Sequence, residues 1–101
     1  MKSKQILTFR DVAKFHKEKF GDIESVMQQT KVEEEVNELL EQVNTFYDRE
    51  SITEECCDVI MAIIGFLRLL NVDIDEAMKA CVKKVREREY PDNFKHREEV
   101  K

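Results

Sequence analysis

Two short acidic stretches carry the residues whose types and spacing can do chemistry. KVEEEVNELL at 31–40 holds Glu33, Glu34, Glu35 and Glu38, and EECCDV at 54–59 holds Glu54, Glu55 and Asp58. Glu35 and Glu38 are neighbours across one helical turn, and Glu55 and Asp58 repeat that relation. Such pairs either decorate two solvated helix faces or form two halves of one acidic site. In the second case they offer hard oxygen ligands suited to Mg2+ or Mn2+. Asp58 weighs in that direction, because it falls about one turn inside the most apolar helix of the chain. A buried carboxylate without a partner is costly, so a cation should face it. Lysine or arginine from the last helix would serve, and so would a divalent ion.

The elements that must position these acids are helical. The 101 residues include only two Gly and one Pro, none of them between Asp22 and Ile64, which leaves little room for sheet turns. Thr8 with Asp11 forms a capping-box pattern for a first helix that Gly21 ends. A second helix starts at Ser25 or Thr30 and runs to Tyr47, with Val32, Val36, Leu39, Leu40, Val43, Phe46 and Tyr47 along one stripe. Glu35 lies roughly 80° from the centre of that stripe and Glu38 roughly 140° away on the same flank, at about 100° per residue. Ser51 with Glu54 predicts a capped start for a third helix, which continues to about Leu70. Asp73 with Glu76 opens a fourth, carrying Ala77, Met78, Cys81, Val82 and Val85 on one side, and it runs to about Glu89 before Pro91 stops it. The chain therefore reads as a single all-α domain over 1–101, with a polar tail from about 92.

Val59, Ile60, Ile63, Ile64, Phe66, Leu67 and Leu70 cover more than half the circumference of the third helix, and Met61, Ala62, Gly65 and Leu69 most of the rest. A helix apolar almost all round must be surrounded. Three partner helices of so short a chain are too few, which predicts a homodimer. Ala62 and Gly65, near the Asp58 direction, allow close helix approach or leave a cavity.

Composition narrows the function. With 22 acidic and 17 basic side chains the net charge is -5, which argues against a nucleic acid polymer as partner. Local positive charge still suffices for a small phosphorylated ligand. Cys56, Cys57 and Cys81 suggest no disulfide framework or zinc knuckle and read as buried thiols in a reducing, cytoplasmic setting. MKSKQILTFR lacks the apolar run of a signal peptide, and VIMAIIGF at 59–66 is too short for a membrane span.

Taken together, K-x-x-E-E-x-x-E-L at Lys31 to Leu39 and E-E-x-x-D-V at Glu54 to Val59 resemble the MazG-like nucleotide pyrophosphohydrolases, members of the all-α NTP pyrophosphatase superfamily. FHKEKFG at 15–21, NVDIDEAM at 71–78 and REREYP at 86–91 extend the resemblance over roughly residues 12–91. It implies a four-helix MazG-like bundle assembled as a homodimer or a dimer of dimers. Glu35, Glu38, Glu55 and Asp58 match the Mg2+-binding pairs, with Glu35 or Glu38 as catalytic base and Glu34 and Glu54 as auxiliary acids. The implied reaction cuts a nucleoside triphosphate, deoxy and non-canonical ones included, to the monophosphate and pyrophosphate. Lys31, Lys83, Lys84, Arg86 and Arg88 are the implied phosphate contacts, although Glu87 and Glu89 interrupt the family's basic run and no asparagine stands in it. Two other readings are a helical interaction or regulatory module without catalysis and a phosphoribosyl-ATP pyrophosphohydrolase-like enzyme. His16 reads as a structural or surface residue, with a substrate contact left open by the resemblance. Phe46 and Tyr47 read as core more than as base-stacking residues.

Overall fold

The computed structural model describes residues 8–45 and 47–89, which form four α-helices: α1 (Phe9–Phe20), α2 (Ser25–Thr45), α3 (Arg49–Leu69) and α4 (Ile74–Glu87). The expected tail, Phe46, His96 and Pro91 lie outside the described residues. The capping box at α1 forms as the sequence predicts. Thr8 Oγ1 accepts from the Asp11 amide and the Thr8 amide donates to Asp11 Oδ2, both at 3.1 Å. Gly21 closes α1 at φ 65, a backbone region where a side chain would be strained. Of the two proposed starts for α2, Ser25 is the first helical residue. The helix ends at Thr45, two residues before the expected Tyr47, which adopts φ 52 and donates its N–H to the Gln42 carbonyl. Tyr47 is 76% exposed and so is not core in this chain.

The start of α3 differs from the sequence reading. Asp48, not Ser51, is the cap: its carboxylate accepts from the Ser51 amide at 3.0 Å. That amide holds the Asp48 carboxyl below its usual range, as a charge at a helix N-terminus should be held. The earlier start has a consequence for the acids. With Arg49 as the first helical residue, Glu55 and Asp58 lie still further from the orphan amides that would ease their charge. Asn71, at φ 56, turns the chain after α3, a conformation asparagine tolerates. Asp73 then caps α4 by accepting from the Glu76 amide.

Helices α2 and α3 form an antiparallel pair. Gln28 meets Ala62 while Glu35, further along α2, meets Asp58 and Glu55, earlier on α3. Helix α1 packs on α3, and α4 touches α1 and α3 but not α2. Among the described residues the buried apolar set is small: Ala62, Ile64 and Ile74. The third helix is apolar almost all round, yet Ile60 and Ile63 stay 50% and 42% exposed in the single chain. Val26, Met27, Leu40, Met78, Val82 and Val85 are exposed as well. The three thiols, expected to be buried, are all exposed: no neighbouring helix of the single chain covers Cys56, Cys57 or Cys81.

Candidate functional site

The close packing of α1, α2 and α3 depends on one position without a side chain. A Cβ added to Gly65 would lie 2.5 Å from His16 Nε2 and 2.7 Å from Gln28 Nε2, well inside van der Waals contact. The space left free on α3 is thus filled by an imidazole from α1 and an amide from α2. Gln28 Nε2 donates to the Ala62 carbonyl at 2.8 Å. His16, only 4% exposed, accepts at Nδ1 from Arg68 Nε at 3.2 Å, so its proton resides on Nε2. Burial first, and the Arg68 charge second, push the imidazole below its ordinary pKa. Arg68 also donates to the Gly21 carbonyl, tying the end of α1 to α3. His16 thus has a structural part in joining α1 to α3, and it also lines the groove described below. Sequence reading missed Gln28, whose signal is its position two turns before Glu35 on the inward stripe of α2.

Two turns along the same interface lie the acids. Glu35 from α2 and Glu55 and Asp58 from α3 each bring a carboxylate oxygen within 4.8 Å of the other two. The burden of enclosure differs from the sequence expectation. Asp58 is exposed, whereas Glu35 is 6% exposed and Glu55 half-buried. Glu55 Oε1 is buried with no hydrogen-bond partner among the described residues. Desolvation, and then the charges of Glu38, Asp58, Glu35 and Glu54, push the Glu55 carboxyl above its ordinary pKa. Glu38 is exposed and stands outside the converging trio, yet it is near enough to be the foremost charge acting on Glu55. Glu54 is exposed.

Within one chain the cation beside these acids is Lys31 of α2, whose Nζ lies 2.7 Å from Glu35 Oε2. Lys83 and Arg86 instead line a separate groove with Phe9, Arg10 and Met78 between α1 and α4. Lys84 and Arg88 are exposed on α4. Within one chain, none of these four is among the residues lining the acid groove.

That groove, about 850 Å³, runs from Glu34, Glu35 and Asp58 past Lys31 to Met27, Met61, His16 and Phe20. Its size falls in the range of small-molecule sites. The acids stand at one end, and apolar side chains with Asp22 and Glu24 line the other. Three carboxylates that repel one another, one with an orphaned buried oxygen, fit a hard divalent cation in donor type and in charge. Among the described residues no helix is long and apolar enough to cross a membrane.

The family model of the MazG nucleotide pyrophosphohydrolase domain matches residues 22–93, a span that begins just before α2 and contains every acid of the cluster. No curated protein and no solved structure matches the chain.

Proposed function

Because the chain belongs to the MazG nucleotide pyrophosphohydrolase family, we propose that it is a Mg2+-dependent enzyme that converts nucleoside triphosphates to monophosphates and pyrophosphate. The observation that carries this reading is the convergence of Glu35, Glu55 and Asp58 around the partnerless Glu55 Oε1. Pyrophosphohydrolase chemistry needs a means to bring a polyanion against acids, and this cluster beside a groove supplies the means for a cation to bridge them.

Glu35, Glu55 and Asp58 would hold Mg2+, or Mn2+ in its place, with Glu38 at the edge of the set. A bound divalent cation supplies charge neutralisation for the phosphates and a lowered pKa for attacking water. The water oxygen bonds to the α-phosphorus as the bond to the oxygen bridging α and β breaks. Pyrophosphate leaves with that oxygen. Glu38, exposed and near enough for its charge to act on Glu55, would accept the water's proton, since Glu35 already pairs with Lys31. Glu34 and Glu54 tune the field of the site from outside. The apolar end of the groove, at Met27, Met61 and Phe20, is suited to the base and sugar.

The working form is a homodimer or a dimer of dimers. Its support is the apolar surface that one chain leaves open at Ile60, Ile63 and Leu40 and again at Met78, Val82 and Val85. Obligate interfaces resemble a core cut in half. Assembly would also bring Lys83, Lys84, Arg86 and Arg88 of one copy toward the groove of another, where they would take up charge on the departing pyrophosphate.

A panel of canonical and modified nucleoside triphosphates, with phosphoribosyl-ATP as one arm, tests the reaction. The expected result is Mg2+-dependent release of pyrophosphate without orthophosphate, together with a Mg2+-dependent rise in melting temperature. Orthophosphate release alone would overturn the α–β cleavage, and no turnover with no thermal response to Mg2+ would leave a helical interaction module as the better reading.

A further inference from the structure

Glu35 is the most enclosed acid of the cluster, and its carboxylate already has a cation. Lys31 Nζ and Glu35 Oε2 are 2.7 Å apart, with the glutamate side chain 8% exposed and the lysine 56% exposed. The pair spans one turn of α2, in which lysine precedes glutamate. That order is the weaker of the two i,i+4 arrangements. The lysine ammonium feels Glu34 and Glu38 besides Glu35, and its side chain lines the groove that ends at the acids.

We propose that Lys31 and the divalent cation compete for Glu35, and that the lysine displaced by the cation becomes a phosphate ligand in the groove, so that cation binding prepares nucleotide binding. The inference rests on the cation site set out under the proposed function.

The geometry leaves little alternative for the ammonium. A cation coordinated by Glu35 Oε2 at about 2.1 Å would stand no more than about 5 Å from Nζ in its present position. Like charges at that separation repel, and the two cations would have to share the one Glu35 carboxylate. The side chain is free to leave: it is more than half exposed and rides on a flexible four-carbon stem. Its root is fixed on α2 beside the groove. The displaced ammonium therefore remains within reach of an anion lying there, and a triphosphate supplies one. A dication alone at Glu35 thus loses binding to competition, while a dication with triphosphate gains from the freed lysine.

The competition is read by isothermal titration with Mn2+ in the absence of nucleotide, then with a triphosphate analogue carrying a non-hydrolysable α–β bridge at saturating Mn2+. Lys31→Met keeps the stem and helix propensity and removes the charge. It should bind Mn2+ roughly three- to tenfold more tightly and the analogue roughly tenfold more weakly, on the scale of a single partly exposed ion pair. Lys31→Arg should behave as the parent in both titrations. Opposite signs in the one variant support the proposal. Any other combination, including weaker or unchanged Mn2+ binding, overturns it. Asp58→Asn separates the two levels of the argument. If the parent binds Mn2+ no better than Asp58→Asn, the cation site itself fails; if the parent binds well and Lys31→Met does not bind better, only the lysine's role fails.

Discussion

The two ends of the molecule are held together by different means. Where α1, α2 and α3 meet, polar groups are enclosed: His16, Gln28 and Glu35 are buried, and Gly65 admits two of them to the surface of α3. Where α4 meets α1, the contacts are charged and open. Asp75 of α4 accepts from the Phe9 and Arg10 amides at 3.1 and 3.2 Å, acting as a cap on another helix. Arg10 donates twice to Asp73, itself the cap of α4. Ile74 is the one buried apolar residue of α4. The first arrangement fixes side chains against neighbours on three helices, as a ligand site requires. The second anchors a helix at its beginning and leaves its apolar face at Met78, Val82 and Val85 in water. On the proposed reading, the first region would hold a ligand and the second a further protein surface.

The largest expected effect falls on the acid end. Asp58→Asn or Glu55→Gln should lower Mg2+-dependent pyrophosphate release on the order of a hundredfold or more, with the helical circular dichroism unchanged. Full activity would break the comparison outright, since the enclosed acids would then have no chemical task. Gly65→Ala comes next. The added methyl meets a ring pinned by Arg68 and an amide pinned by the Ala62 carbonyl, so a loss of about 1–3 kcal/mol is expected in urea unfolding. A neutral result would show that His16 and Gln28 yield easily.

At the other end, Asp75→Ala removes the acceptor of two α1 amides and should cost roughly 1 kcal/mol. It should leave Mn2+ affinity at the acids untouched. A change in that affinity would mean that the two ends are coupled. The smallest effect concerns pH. His16 is held below its ordinary pKa in the folded protein, so as pH falls past about 6.5 the unfolded chain takes up the proton first. Stability should therefore decline with falling pH from that point until the folded imidazole also titrates. In His16→Gln this part of the slope should disappear in urea melts at pH 7 and 6.

Much of this was legible along the chain. The helix count, the Thr8 and Asp73 caps and the turn at Gly21 follow from local patterns that act over a few residues. The Asp48 cap was not, because Asp48 and Ser51 are both good N-caps and local preference does not separate them. The i,i+3 spacing of Glu55 and Asp58 and the inward flank of Glu35 were equally local facts. Which acid would be enclosed was not, and the assignment to Asp58 failed for a plain reason. Burial at a helix surface is decided by the neighbour, and α2 covers Glu55 where Asp58 is left open. Nor could local pattern show which cation lies beside which acid: within one chain α4 makes no contact with α2, and Lys31 on α2 itself pairs with Glu35.

By itself, then, the sequence determined four helices, their stops, and two acid pairs able to share a cation, since each of these depends on groups within a turn or two of one another. The tertiary structure alone decided that Glu35, Glu55 and Asp58 converge, that Glu38 stands aside, that His16 and Gln28 enter the space at Gly65, and that the α4 cations lie elsewhere. Those outcomes depend on the distance and rotation between helices, which the packing of small against large side chains fixes and no single helix encodes.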